Sequence, residues 1–321
     1  MTTIAESTFT PAQAIDNIVD TAVAVGAPWS EPESGTITND QTDTSWRNNG
    51  RLLYHADAGV YILLYVTYGE TFNQHAPIRL VYSNDWNSTE NIPSGKTTVT
   101  SDDPFSGDVG NFQSESYNTH NQDEVTGIFA LNDEAYRYNP ATVNDRIDAA
   151  TNIQMTMFGS VGTGHLTVGT WNTTDSQNGA CNYHAWEYVN NKFWNDGTDP
   201  WAFVQTNQQG PEHFGGYGWE AKDNRTDVDE IGGHGCFGYE DAWGFINPDT
   251  SDDTYFFKRP VIYQTDSTTV PVAYYDPAIL SDKDEGGAHG DIITYDGVDH
   301  RIMQQSGDST TTTVSIGLRY T

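Results

Sequence analysis

Lysine is almost missing from this chain: five lysines (Lys96, Lys192, Lys222, Lys258 and Lys283) and nine arginines face 45 acidic side chains, a net charge of -31 on 321 residues. That balance excludes nucleic acid and anionic lipid as direct partners, because both are bound by clustered Lys and Arg that displace counterions. Long apolar runs are missing as well. The longest, Val60 to Val66, is far shorter than the roughly 20 residues of a membrane-crossing helix, so no membrane insertion is expected. Met1 to Phe9 has neither a basic n-region nor an apolar h-region, and no Arg pair precedes an apolar stretch, so synthesis in the cytoplasm without a signal peptide is expected. Cys181 and Cys236 are the only cysteines; they allow one disulfide, and two reduced thiols remain equally open. There is no G-x-S-x-G. Ser94-Gly95-Lys96-Thr97 ends like a phosphate-binding loop, but Glu90 stands where that motif begins with glycine. Internal repeats, heptads and proline-rich linkers are absent too.

What is present is acid and aromatic. A surface this negative repels itself in dilute buffer, where the Debye length is about 10 Å at 0.1 M; at 1 M it falls to about 3 Å and the repulsion is screened. The composition therefore points to a protein adapted to very high salt. An acidic disordered chain is the competing reading, but 12% aromatic residues with strand-like periodicity call for a packed body.

Residues 1–26 read as an N-terminal helical arm. Thr10 caps it, Pro11 takes its first position, Ala12, Ile15, Ile18, Val19, Ala22 and Val23 recur at helical spacing, and Gly26 and Pro28 end it. Such a helix docks either on a neighbouring subunit or on its own body. Residues 27–321 read as a β-sandwich body, with a subdomain boundary near 140–150 where Asn139-Pro140 breaks the chain. Leu52 to His55 and Val60 to Tyr68 flank Ala56-Asp57-Ala58-Gly59 as a hairpin. Further strands are expected over 78–82, 125–131, 153–161, 165–170, 183–189, 202–205, 236–239, 255–264, 270–275, 291–295, 299–304 and 312–320. With one helix among many short strands, the expected fold is mainly β, an antiparallel β-sandwich, jelly-roll-like, with long loops. The polar stretch Ser83 to Gln122 is expected as a surface loop or contact arm.

Few constellations carry chemistry. His234 and Cys236 share a face on a strand, yet Gly232 to Gly238 reads better as a glycine-rich turn into a buried cysteine. Glu212, Glu220, Asp223, Glu240 and Asp241 could supply a glycosidase pair, but in a chain with 45 acids chance proximity is nearly certain. No enzymatic activity and no cofactor are expected. Asp223, Asp227 and Asp229 offer oxygen ligands at loop spacing for Ca²⁺ or Mg²⁺, without the central glycine of an EF-hand; a solvated loop that merely attracts salt cations is the alternative. The densest signal is aromatic. Trp186, Trp194, Trp201, Trp219, Trp243, Phe193 and Tyr217 fall between glycines, and such rings fill a core, anchor a subunit interface or stack on sugars.

The C-terminal stretch Gly290 to Met303, with Val314-Ser315-Ile316-Gly317-Leu318-Arg319-Tyr320, resembles the closing strands of structural proteins of tailed viruses, in particular those infecting haloarchaea. Arg51 to His55 with Val60 to Tyr65, and Val189 to Trp194, have the same character. The resemblance implies a non-enzymatic virion protein. The long helix of a head-shell protein and the repeats of a fibre are not seen, which leaves a baseplate or tail-tip protein, or a capsid turret or decoration. The partners so implied are copies of itself in a homo-oligomer, other virion proteins, and a host-surface glycan or glycoprotein. A free glycan-binding or glycan-cleaving protein of a halophile is the reading from another class.

Overall fold

The computed structural model describes residues 1–33, 48–66, 78–83, 86–89, 125–131, 155–172, 181–189, 193, 201–206, 215–220, 259, 261–264, 270–282, 290–304 and 314–321. Among these the chain is mainly β, with antiparallel strands and a single helix.

The chain opens with strand β1 (Thr2–Phe9) and enters helix α1 (Pro11–Val25) through a reciprocal cap. The Gln13 N–H donates to Thr10 Oγ1 at 3.3 Å, the Thr10 N–H donates to Gln13 Oε1 at 3.0 Å, and Pro11 occupies the position that needs no N–H. Gly26, at φ +79°, ends the helix. Ala14, Ile15, Ile18, Val19 and Ala22 form the apolar stripe and are all buried.

Strands β2 (Trp29–Ser30), β3 (Asn48–His55), β4 (Val60–Val66), β5 (Ile78–Ser83) and β6 (Val125–Leu131) form a five-stranded sheet in sequential order, and β3 and β4 are the hairpin expected around Ala56 to Gly59. Strands β7 (Met155–Val161), β8 (His165–Asn172), β9 (Cys181–Val189), β10 (Trp201–Thr206) and β11 (Gly215–Glu220) join β1 in a six-stranded sheet of order β1-β7-β8-β9-β10-β11. β12 (Val261–Gln264) pairs with β13 (Val270–Tyr274). β14 (Ala278–Asp282), β15 (Ile292–Tyr295), β16 (Val298–Gln304) and β17 (Val314–Arg319) make a four-stranded sheet of order β14-β17-β16-β15.

The six-stranded sheet lies between two partners. On one face, Ile4, Met157, Val161, Leu166, Val168 and Trp186 share a single apolar cluster with the helix stripe and with Leu53, Ile62 and Leu64 of the five-stranded sheet. The first strand reaches this cluster from both ends through a bulge. Ile4 pairs with Gly159 and Ser7 with Met157, three steps on one strand against two on the other, so Ile4 and Phe9 both turn to the core although their numbers differ in parity. On the other face, Phe158 packs on Tyr320, and Gly169 leaves the room that Phe158 fills: a Cβ there would lie 2.4 Å from the Phe158 ring.

The N-terminal region is not an arm. β1 belongs to the central sheet, and the apolar face of α1 is buried against β1, β2, β3, β4 and β7 of its own chain. An amphipathic stripe buries against the first apolar sheet within reach, and the bulged strand preceding the helix holds that sheet beside it. This face is therefore not open to a neighbouring subunit. The boundary expected near 140–150, the expected strand over 236–239 and nearly all of the polar stretch 83–122 lie outside the described residues.

Candidate functional site

The residues singled out in the sequence separate in the structure. Trp186, a candidate for a binding surface or interface with the core as the alternative, is fully buried: its ring meets Trp29 (centroids 5.2 Å) and His55 (4.8 Å) edge-on. Its position in β9, in register with Leu166 and Val204, turns it to the core face, and no ring that large could be exposed there. Trp201 is in register with Val189 and Glu220, Trp219 with Ala202, and Tyr217 with Val204, so these three are strand residues rather than loop residues. Trp194, Trp243, Asp223, Asp227 and Asp229 lie outside the described residues, as do Cys236, Glu212, Glu240 and Asp241. Among the described residues no group of three or more His, Cys, Asp or Glu is placed to hold a metal ion.

Phe193 is exposed, at 45%, and its ring meets one that the sequence did not mark. Its ring meets the ring of Tyr274, itself 48% exposed, at 85° with centroids 4.9 Å apart. Tyr274 ends β13. The next residue, Tyr275, turns inward and donates its hydroxyl to the Ala185 carbonyl at 2.8 Å, which pins the β13–β14 corner onto β9. Asp276 follows and its N–H donates to Glu187 Oε2 at 3.2 Å. At the end of the strand and in the turn that follows it, Tyr274 and Asp276 thus face outward and Tyr275 inward.

Arg259 ties the corner together. Its guanidinium carbon lies 5.3 Å from the Tyr274 ring centroid, Nη2 is 3.1 Å from Asp296 Oδ2, and Nε is 3.6 Å from Asp276 Oδ1. Asp296 is delivered by the tight β15–β16 turn, where Asp296 at φ +52° and Gly297 at φ +77° are the left-handed pair that a two-residue hairpin uses. Behind them, loss of hydration holds the Glu187 carboxyl well above the usual carboxylate range and the Asp276 charge adds to the rise; the Asp276 N–H, Arg319 and Arg259 oppose it.

A second polar group lies deeper, between the six-stranded sheet and β17. The Ser160 and Thr167 hydroxyls donate to the Arg319 carbonyl at 3.0 and 2.8 Å, and His165 Nε2 lies 3.3 Å from Ser160 Oγ. A serine beside a histidine is the start of a nucleophile and base pair. Here, however, Ser160 is fully buried and its hydroxyl is engaged by a backbone carbonyl, while burial lowers His165 to about 3. The arrangement ties two sheets together and presents no nucleophile to solvent.

No family model matches this chain, and no curated protein matches it.

Proposed function

We propose that this protein is a non-enzymatic structural component of a virus particle that persists in brine, a tailed virus of a halophilic archaeon, sited in the baseplate or tail tip or as a capsid turret or decoration. The observation that carries the reading is the charge. A net charge of -31 on a layered β body repels its own copies in dilute buffer and allows them to associate only once salt shortens the range of that repulsion. The closing strands that resemble those of haloarchaeal tailed-virus proteins are β15, β16 and β17, three strands of the four-stranded sheet that packs on the central sheet and gives the body its third layer. With the helix stripe buried in its own chain, contacts between copies fall to sheet edges and to exposed rings. No helix among the described residues is long and apolar enough to cross a membrane.

Negative-stain images of the purified protein in molar KCl are expected to show closed rings or trimers, and antibodies against it are expected to label intact virions. Dispersed monomers that release reducing sugar from host glycans would overturn the reading in favour of a free glycan-cleaving protein. The salt dependence has its own measurement: circular dichroism in molar KCl is expected to give a cooperative β-rich melt that weakens on dialysis to about 0.1 M. A melt unchanged by dialysis would remove the argument from charge.

A further inference from the structure

Acidic side chains outnumber basic ones 45 to 14 in this chain, so a pair of half-exposed aromatic rings held in fixed geometry is a departure. Phe193 and Tyr274 stand at 85° to each other with centroids 4.9 Å apart, an edge-to-face pair in which both rings stay about half exposed. The pair is not adaptable in the way a loose surface patch is. Tyr274 ends a paired strand, its neighbour Tyr275 is anchored to β9, and Arg259 is held beside its ring by carboxylates from two separate turns.

The polar rim selects the occupant. Arg259, Asp276 and Asp296 border Tyr274, one donor group and two acceptor groups. A purely apolar partner closing over the rings would strip water from these charges and return no hydrogen bonds, which costs several kcal/mol. An anionic partner would meet the field of a chain at -31. A pyranose fits both parts: its C–H face is apolar and stacks on an aromatic ring, while its hydroxyls donate to carboxylates and accept from a guanidinium. Short hydrogen bonds and ring contacts also keep their strength in molar salt, where long-range charge attraction is screened.

We propose that the Phe193–Tyr274 pair, with Arg259, Asp276 and Asp296 on its rim, is a carbohydrate subsite that seats one neutral pyranose ring. The proposal goes beyond the virion reading and does not depend on it, since it rests on the pair and its rim alone; antibody labelling of particles can fail while the subsite stands, and the reverse.

Saturation-transfer NMR in molar KCl with the methyl glycosides of glucose, galactose, mannose and N-acetylglucosamine tests it. At least one is expected to receive saturation, strongest on the protons of one ring face. Tyr274→Ala and Phe193→Ala are each expected to weaken that binding tenfold or more. Tyr274→Phe, which keeps the ring, is expected to stay within about threefold of the parent. Asp296→Asn keeps a residue that tolerates the positive φ and removes only the carboxylate; it is expected to weaken binding severalfold, and it serves should an alanine variant lose its cooperative melt. Ile292→Ala, at a residue 48% exposed on β15, is expected to change nothing. No transfer from any of the four glycosides to the folded protein overturns the proposal. So does transfer that survives undiminished in Tyr274→Ala, Phe193→Ala and Asp296→Asn.

Discussion

The two faces of the six-stranded sheet are held by different physics. On the helix side Met157, Val161, Leu166, Val168 and Trp186 meet a nearly continuous aliphatic and aromatic cluster; the Trp186 indole N–H is buried there without a hydrogen-bond partner among the described residues, while other polar groups reach backbone. The Trp29 indole N–H donates to the Gly162 carbonyl at 2.6 Å, His55 Nε2 lies 2.8 Å from the Thr163 carbonyl oxygen, and the Ala58 N–H donates to His55 Nδ1 at 3.1 Å. On the β17 side, Ser160, Thr167, His165 and Glu187 alternate with Phe158, and directed bonds to Arg319, Asp276 and Tyr275 determine where the upper layer sits. Area burial is non-directional and involves no titrating group. Directed bonds specify position, at the cost of groups that titrate. The exposed corner stands on the second kind of face, which places Tyr274 and Asp276 through Tyr275 and Glu187.

The largest expected effect breaks the apolar face. Trp186→Ala removes a fully buried indole from between Trp29, His55 and Leu166, and large-to-small changes of this type cost about 3 to 5 kcal/mol. Thermal or denaturant unfolding in molar KCl measures it. Were Trp186 at a binding surface, one of the alternatives the sequence left open, the loss would be under about 0.5 kcal/mol, the usual range for surface substitutions.

A smaller effect tests the polar face. Ser160→Ala and Thr167→Ala each leave the other hydroxyl on the Arg319 carbonyl, so each is expected to cost about 1 kcal/mol. Together they leave that carbonyl without either donor, and the double variant is expected to lose about 1 kcal/mol more than the sum. Strict additivity in this double-mutant cycle would mean that the hydroxyls do not act on one shared acceptor, and the contrast between the faces would blur.

Sequence chemistry made some of this legible and hid the rest for identifiable reasons. The helix was readable because Thr10, Pro11 and Gly26 act locally, and the β3–β4 hairpin because Ala56 to Gly59 punctuates two apolar bursts. β1 was hidden by its bulge, since Ile4 and Phe9 break the alternation that marks a strand. β11, Gly-Gly-Tyr-Gly-Trp-Glu, has poor intrinsic strand propensity and owes its state to pairing with β10. Phe193 and Trp186 were indistinguishable as aromatic residues in one rich stretch; only register sends one inward while the other stays exposed. The corner itself is assembled from residues 193, 259, 274, 276 and 296, which no sequence window contains.

The titration of Glu187, the smallest of these effects, separates the faces by pH. Burial lowers His184 and His165 to about 3 and His300 to about 4, and it lowers His55 as well, so all four are neutral in the folded protein. The unfolded chain takes up protons below its histidine pKa of about 6.5, so stability is complete above that pH and falls with acid toward pH 3 to 4, by up to about 1.4 kcal/mol per pH unit per histidine. His55 shares the apolar face with Trp186, whereas His165 belongs to the other face, so the acid limb is common to both. Glu187 has the opposite sign. Its folded pKa is raised, so its contribution is complete below the unfolded value of 4.5 and is lost as pH rises toward the folded one, and it belongs to the polar face alone. Glu187→Gln keeps an acceptor for the Asp276 N–H and removes the titration. The variant and the parent are expected to melt alike near pH 5, with the variant the more stable of the two at pH 8.5. Melting curves that stay parallel from pH 5 to 8.5 would show that Glu187 is ionised in the folded protein throughout, and the β13–β14 corner would then rest on a charged carboxylate rather than a neutral one.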